Sequence, residues 1–209
     1  MIDIQIDTKK LERSLSKLER KQIPFAVSGA INKTLFGLKQ EQAKQVAREL
    51  DRPIPFTTKG FLFQKAGKRN LVGYLYIPEN RYKYMKYQIK GGTRLPNSRS
   101  IPIGTSNLKR NKYGNLPRKK ITTLLSKPDT FSGEINGVAG IWQRPKRGRQ
   151  RGGKVGRQGN GGLKLLIAWE SSATYTKRFD YYGIGKRYIN RVLVGNVEAS
   201  LQHAIKTAL

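Results

Sequence analysis

Cysteine is absent from this chain of 209 residues, and histidine occurs once. Without thiols the chain can form no disulfide and can offer no thiolate to a metal or a substrate. The one imidazole, that of His203, cannot build a zinc site, and a catalytic triad would have to use it. The longest purely apolar run, residues 165–169, is far shorter than the roughly 20 residues that cross a bilayer. Residues 1–4 carry neither a basic leader nor an apolar core, so we expect no secretory signal and a chain made in a reducing compartment.

Acidic residues are also scarce, and their distribution is uneven. The chain has 13 Asp+Glu against 42 Lys+Arg, a formal net charge of +29. Residues 81–169 contain 21 of the basic residues but only two acids, Asp129 and Glu134, so two-thirds of the excess lies in the middle of the chain. Such a field repels other copies of the chain and attracts polyanions or acidic protein surfaces.

Hydrophobic periodicity predicts an α+β fold, which we expect to form a single domain over 1–209. A strand is predicted at 2–6. Within the helical segment that follows, a second helix is expected to begin at Pro24, where the missing N–H of proline costs nothing. Short strands are predicted at 61–63, 71–77, 84–90, 138–143 and 163–169, with a basic hairpin turn at 67–70. The predicted organisation is a helical scaffold at 8–50, a small antiparallel sheet from 56–90 and 138–169, long basic loops or arms at 91–137 and 144–162, and a C-terminal packing helix at 187–208.

Sequence motifs for catalysis are incomplete. Gly183-Ile184-Gly185 lacks the third glycine of a dinucleotide site, and the Ser or Thr that a P-loop needs is missing after Lys186. Glu19-Arg20-Lys21 matches the acid-x-Lys fragment of metal-dependent nucleases, but a solvated charge cluster on a helix explains it better. No Ser, Cys or acidic cluster accompanies His203. We therefore expect neither an enzyme nor a cofactor or metal site.

Tyrosines alternate with lysines between residues 74 and 87, and two interpretations are open. The rings could stack bases while the cations hold phosphates. Alternatively Tyr74 and Tyr76 share one face of a strand and cover the sheet, which we favour because spacing alone does not distinguish the two. The cluster comprises Tyr74, Tyr76, Tyr82, Lys83, Tyr84, Lys86 and Tyr87.

Basic segments in the predicted loops are the candidate binding residues. The segment 144–157 has seven basic residues in fourteen and no acid. It is suited to phosphate contacts, which release counterions, and equally to a solvated loop or to an arm that docks on an acidic protein neighbour, because charge reports sign and not partner identity. The candidate DNA- or partner-contacting residues are Lys68, Arg69, Lys109, Arg110, Lys112, Arg118, Lys119, Lys120, Arg144, Lys146, Arg147, Arg149, Arg151, Lys154 and Arg157.

The N-terminal quarter of the chain carries a series of landmarks. These are Leu11-Glu12, Leu15, Leu18, Ile23-Pro24, Ala30-Ile31-Asn32 and Ala43-x-Gln45-Val46-Ala47-Arg48-Glu49. In residue type and spacing the series resembles the opening of the minor tail protein Z family of tailed bacteriophages, which are tail-completion proteins. After Leu50 the resemblance is one of organisation, with a basic, glycine-interrupted middle and a C-terminal amphipathic helix. The general layout is similar to phage neck and tail-terminator proteins.

This resemblance implies a structural role in a virion, with no catalytic residues. Members of the family complete the tail so that it joins a filled head and seats the DNA end. The expected assembly is a homo-oligomeric ring, a hexamer by analogy, at the head–tail junction. Its expected partners are other tail or neck proteins (tail tube, terminator or connector) and double-stranded genomic DNA in the lumen, with no membrane contact. The expected location is the virion tail or neck, after synthesis in the host cytoplasm.

In such a ring the apolar helix stripes would pack neighbouring subunits. A different class of function, a basic nucleic-acid-binding protein of ribosomal or another type, fits the composition nearly as well. The candidate subunit-packing residues are Val27, Ile31, Leu35 and Leu38 in the N-terminal helices and Ile189, Leu193, Val197 and Leu201 in the C-terminal helix.

Overall fold

A computed structural model describes residues 1–6, 17–145, 147–149, 155–158 and 162–207. It confirms the α+β class, with antiparallel sheets and with helices near both ends of the chain. The chain divides into two compact units, where one domain was expected. Unit 1 is Met1–Gly91 with Thr176–Leu209, and unit 2 is Gly92–Tyr175.

Eleven strands and five helices make up the described part of the chain. In order they are β1 (Ile2–Gln5), α1 (Lys17–Glu49), α2 (Pro55–Thr58), β2 (Leu62–Gln64), β3 (Val72–Tyr76), α3 (Glu79–Lys90), β4 (Gly92–Arg94), β5 (Ile101–Gly104), α4 (Lys120–Leu125), β6 (Thr130–Ile135), β7 (Val138–Gln143), β8 (Arg147–Arg149), β9 (Val155–Gln158), β10 (Lys164–Glu170), β11 (Ala173–Tyr175) and α5 (Tyr181–Thr207).

Unit 1 is built on a long antiparallel helix pair, α1 and α5, which packs against a three-stranded sheet of order β1-β3-β2. The Asn196 amide donates to the Thr34 hydroxyl (2.9 Å), and the Gln42 amide donates to the Tyr181 carbonyl (2.8 Å). Because Thr34 is paired with Asn196 and the later Gln42 with the earlier Tyr181, these two bonds fix the antiparallel register of the pair. The sheet lies close to α1 because Gly73 leaves room for Leu35.

The apolar stripe of α1 fills the core of unit 1, which corrects the prediction that it packs subunits. Val27, Ile31, Leu35 and Leu38 are at most 2% exposed. A neighbouring subunit therefore has no α1 stripe to contact. On α5 the stripe is half-buried: Ile189, Leu193 and Leu201 pack against the same core, and Val197 is half-buried as well.

An aromatic cluster secures the start of α5. The rings of Phe61, Phe179 and Tyr181 have centroids 6.1 to 6.3 Å apart, and the Tyr181 hydroxyl donates to the Leu75 carbonyl (2.9 Å). Burial raises the pKa of Tyr181, so the hydroxyl stays protonated and keeps this bond. The helix starts at 181 rather than at the predicted 187, because an N-terminal cap lies just upstream of it.

Asp180 supplies that cap. Its carbonyl accepts from the N–H of Ile184 (3.0 Å), and its carboxylate accepts from the N–H of Gly183 (3.4 Å). The ammonium of Lys177 lies 3.2 Å from the carboxylate and, together with these contacts, lowers the pKa of Asp180. The cap therefore stays charged to low pH.

Two secondary-structure predictions in unit 1 are wrong, one for a helix start and one for a strand. Pro24 lies inside α1, which runs unbroken from Lys17, because burial of the neighbouring Ile23 and Val27 outweighs the loss of one N–H bond. Residues 84–90, predicted as a strand, belong to α3, whose buried Met85 and Ile89 stand four apart. The aromatic β-propensity of this segment is overridden by that helical spacing. The predicted hairpin turn at 67–70 is confirmed, because β2 pairs with β3 on either side of it and a β-bridge joins Gly67 to Asn70.

Unit 2 is built on a four-stranded antiparallel sheet of order β5-β10-β7-β6. The strands predicted at 138–143 and 163–169 are confirmed as β7 and β10. The prediction of a long loop at 91–137 is wrong, because this segment contains β4, β5, α4 and β6. The β6–β7 hairpin turns at Asn136-Gly137, both with positive φ (50° and 77°), the backbone that an Asn-Gly turn adopts.

The core of unit 2 is small and lies on one face of this sheet. It contains Ile141 and Ile167 from the central strands, with Leu108, Leu124 and Leu166 packed beside them. The edge strand β5 contains Pro102, paired with Trp169 of β10. A core of this size leaves most side chains of the unit at the surface.

Candidate polyanion-binding surface

The two central strands of unit 2 continue into a basic hairpin. β7 pairs with β10 and β8 pairs with β9, and β8 and β9 lie between β7 and β10 in the sequence, so the described residues of 138–170 form two antiparallel strand pairs, of which β8–β9 is called the hairpin extension below. The sequence analysis expected a loop at 144–162. Two paired strands stand there instead, because pairing satisfies backbone groups that a loop leaves to water.

Three candidate arginines lie on this hairpin extension, Arg147 and Arg149 on β8 and Arg157 on β9. Arg147 pairs with Gln158 and Arg149 pairs with Val155, with a register irregularity between the two. Three further candidates, Lys146, Arg151 and Lys154, lie outside the described residues.

Arg144 stands at the base of the hairpin extension and is held by its own chain. Its guanidinium carbon lies 4.5 Å from the centre of the Phe131 ring, and its Nη1 donates to the Pro128 carbonyl (3.1 Å). Its backbone N–H donates to the Asp129 carbonyl (2.8 Å). The side chain is nevertheless exposed, so its charge contributes to the surface while its position is fixed.

A second group of candidates lies in the segment that joins β5 to α4. Lys109, Arg110, Lys112, Arg118 and Lys119 are exposed, and Lys120 is half-buried at the start of α4. One of these cations is bonded to the sheet. The Arg110 guanidinium donates to the Gly104 carbonyl, the last residue of β5.

The turn within this segment is closed by one asparagine. The side-chain oxygen of Asn111 accepts from the N–H of Tyr113 (3.0 Å) and of Asn115 (2.9 Å), and Gly114 has a positive φ of 74°. The Lys112 ammonium lies 5.1 Å from the Tyr113 ring. The loop thus has a defined backbone while its cations point to solvent.

Lys68 and Arg69 belong to unit 1, whereas the other candidates belong to unit 2. They occupy the β2–β3 turn, closed by reciprocal bonds between Gly67 and Asn70 (2.9 and 3.2 Å). The Lys68 ammonium lies 4.8 Å from the centre of the Phe25 ring, and Arg69 is exposed.

Among the candidate cations whose side chains the structure describes, none has an acidic side chain as an ion-pair partner. The ion pairs among the described side chains are Asp51–Arg52, Glu79–Lys83, Asp180–Lys177 and Asp180–Arg187. Unit 2 carries 17 basic residues against three acidic ones. The field of this unit is therefore available to an external anion.

The tyrosine–lysine cluster divides between two elements. Tyr74 and Tyr76 share the outer face of β3, with Tyr74 flanked by Asp3 and Gln64 on the adjacent strands, as the sheet-covering interpretation predicts. The remaining members, Tyr82 to Tyr87, lie on helix α3 instead of a strand. A continuous stacking surface along one strand is thus excluded.

Two further searches concern metals and membranes. Among the described residues, no group of three or more His, Cys, Asp or Glu side chains is placed to hold a metal ion. Within the same residues, no helix combines the length and the apolar character that crossing a membrane requires.

Comparison with known proteins gives no family assignment. A scan against protein-family models, a search of the curated proteins and a search of the solved structures each find no match to this chain. The resemblance of the N-terminal landmarks to the minor tail protein Z family therefore stays a prediction from the sequence.

Proposed function

We propose that the chain is a structural virion protein of a tailed bacteriophage. In this role it is a tail-completion, terminator or neck component that forms a homo-oligomeric ring, a hexamer, at the head–tail junction. It helps to join the tail to the filled head and to seat the DNA end. Other tail or neck proteins contact the ring, and the genomic DNA passes through its lumen.

The observation that carries the proposal is the basic hairpin at 138–170. A hairpin that continues the two central strands of a small sheet is a device for reaching a neighbour, because its own unit has little core with which to bind it. At its base Arg144 is fixed by its contacts with the Phe131 ring and the Pro128 carbonyl. The landmarks from Ile23 to Glu49 that resemble the tail protein family support the same role, since all lie on one continuous helix, α1.

Deletion of the gene from its phage tests the proposal. We expect particles that lack the chain to accumulate as separate filled heads and tails, with infectivity restored by the wild-type gene supplied in trans. The chain should be found in purified virions, and labelling should place it at one end of the tail. Deletion particles that are complete and infectious, or virions without the chain, would contradict the proposal.

A variant with Arg147, Arg149 and Arg157 changed to Ser tests the hairpin itself. We expect this variant to complement the deletion poorly. A matched variant with Lys83, Lys86 and Lys90 of α3 changed to Ser removes the same charge from unit 1 and should complement as the wild type does. Equal complementation by both would show that the hairpin is not the contact.

A basic nucleic-acid-binding protein is the second candidate function. The observation that favours it is the group of exposed cations between β5 and α4, none of which belongs to an ion pair among the described side chains. Binding of the purified chain to duplex DNA and to RNA, measured across a salt series, tests it. Each phosphate contact contributes about 0.9 to the slope of log K against log salt for B-form DNA. A strong preference for structured RNA and co-sedimentation with ribosomes would favour this candidate over the virion role.

A further inference from the structure

A groove lies between the two long helices of unit 1. It is lined by Phe25, Gly29 and Lys33 of α1 and by Ala199, Ser200 and His203 of α5, and its volume is about 360 Å³. The lining is apolar or small apart from the side chains at its rim. No residue of the sheet or of α3 contributes to this lining, which places the groove on the side of the helix pair that the core does not use.

Gly29 lies inside α1, and no contact in the described part of the chain requires a glycine there. Glycine destabilises a helix interior relative to alanine, so a helical glycine usually marks a close contact. Gly37 and Gly185 conform, because a Cβ there would collide with Tyr188 and with Ile2 respectively. A Cβ on Gly29 or on Gly195 of α5 would meet no atom within 4 Å, and of these two glycines Gly29 lines the groove. The open space above Gly29 is the floor of the groove, where another backbone can approach closely.

Two half-exposed phenylalanines mark the same face of α1. Phe25 is 51% exposed and Phe36 is 53% exposed, and with Gly29 and Lys33 they form one outer stripe at helical spacing. Eleven residues separate the two rings, about 16 Å along the axis at 1.5 Å per residue. Two solvent-exposed aromatic rings at this spacing can contact a partner that lies along the helix for three turns.

Charge around the groove selects the kind of partner. Lys33 lines the groove, and the Lys68 ammonium covers one side of the Phe25 ring at 4.8 Å. None of the lining residues is acidic. A second copy of the chain would bring the same cations and a net charge of +29 to this face, which is repulsive. Carboxylates from a different protein would be attracted to it.

We propose that this groove docks an amphipathic α-helix of another protein, which presents small and apolar side chains to Gly29 and Phe25 and carboxylates to Lys33 and Lys68. The docked helix packs as a third helix against α1 and α5. Gly29 sets its depth, the two phenylalanines bracket its length and the lysines set its polarity. The inference does not depend on the proposed virion role, since it rests on unit 1 alone.

The test uses a displayed library of 18-residue helical peptides. Peptides that bind the full chain are selected, and those that also bind the Gly29→Leu variant are removed. The leucine side chain points into open space, so it fills the groove without disturbing the fold, which circular dichroism and thermal unfolding verify. Ala47→Leu is the matched control, because Ala47 is exposed on the same helix about 27 Å away. We expect the enriched peptides to combine an apolar or small-residue face with flanking Asp or Glu.

Fluorescence anisotropy with an enriched peptide then measures separately how much the open groove and how much the lysine charge contribute to binding. We expect Gly29→Leu to weaken binding at least tenfold, and Lys33→Glu to weaken it about tenfold without filling the groove. Ala47→Leu and Lys44→Glu, the second an exposed lysine on the same helix, should change binding less than twofold. A peptide of the same composition in scrambled order should bind wild type and Gly29→Leu equally.

Several results would overturn the proposal. No enrichment, enrichment of neutral or basic peptides, or equal binding to wild type and Gly29→Leu would each do so. Sedimentation that shows self-association of the wild type, lost in Gly29→Leu, would assign the groove to a second copy and would likewise reject the acidic helix.

Discussion

Replacement of Leu35 by alanine tests whether the α1 stripe belongs to the core or to a subunit interface. Leu35 has no exposed surface, and its Cδ1 lies so close to β3 that a Cβ on Gly73 would come within 2.5 Å of it. Fully buried Leu→Ala substitutions remove about 3–5 kcal/mol, because the cavity that they leave collapses only in part. With a urea m-value of about 2 kcal/mol per M, the midpoint of unfolding should fall by about 1.5–2.5 M.

Urea titration followed by circular dichroism at 222 nm, at two protein concentrations tenfold apart, is the assay. An intramolecular core predicts that the midpoint of each protein is the same at both concentrations. Phe36→Ala is the matched control, since the adjacent side chain is 53% exposed and should cost less than about 1 kcal/mol. A loss below about 1 kcal/mol for Leu35→Ala, or midpoints that rise with protein concentration, would refute the assignment of this stripe to the core.

Three further substitutions have defined expectations. Gly140→Ala should destabilise unit 2 by about 1–3 kcal/mol, because its Cβ would collide with the Ile167 carbonyl. Urea unfolding followed by tryptophan fluorescence reports unit 2 alone, since both tryptophans lie in it. An unchanged midpoint of unfolding would contradict this packing. Gly137→Ala should cost about 1–2 kcal/mol by the same measurement, because φ there is 77°, and a stabilised variant would argue against this turn. Asp180→Ala should cost about 1 kcal/mol at pH 7 through loss of the cap of α5. Because the folded pKa of Asp180 is lowered, its contribution is full above the unfolded pKa of about 3.9 and is lost as pH falls through the folded value, so the two urea midpoints should converge in acid. A difference that persists unchanged well below pH 3 would reject the charged cap.

Strong local patterns made much of the fold predictable from the sequence. The alternation of Ile2 and Ile4 and the apolar run in β10 correspond to observed strands, and the basic turn at 67–70 corresponds to the observed turn between β2 and β3. These signals succeed because one buried face imposes a period that single residues seldom violate. The C-terminal helix is found for the same reason, with only its start displaced by the Asp180 cap.

The misassigned elements are those in which tertiary packing overrides local preference. Pro24 reads as a helix start, yet α1 continues through it because Ile23 and Val27 are buried on either side. The strand β6 was missed although Asn136-Gly137 is a strong hairpin signal, because the many polar residues before it favour a loop. The pairing of β8 with β9 had no comparable signal, since arginine and glycine dominate both segments.

The candidate sites show a sharper limit of sequence reasoning. The basic residues were identifiable by composition, but their distribution over two units depends on long-range pairing that no local pattern encodes. The α1–α5 groove was not anticipated at all. The sequence pattern that marks the groove is a pair of phenylalanines, Phe25 and Phe36, on the polar side of a helix with Gly29 between them. This pattern can be recognised only when the buried stripe of α1 is known.

Pro102 in the edge strand β5 also determines how copies of this chain can meet. An exposed sheet edge invites an incoming strand, and many copies stacked in this way form fibres. Proline has no N–H to donate, so β5 cannot offer an unbroken ladder to another strand. Ordered growth by sheet extension is therefore blocked at this edge, and copies of the chain are kept from joining edge to edge there.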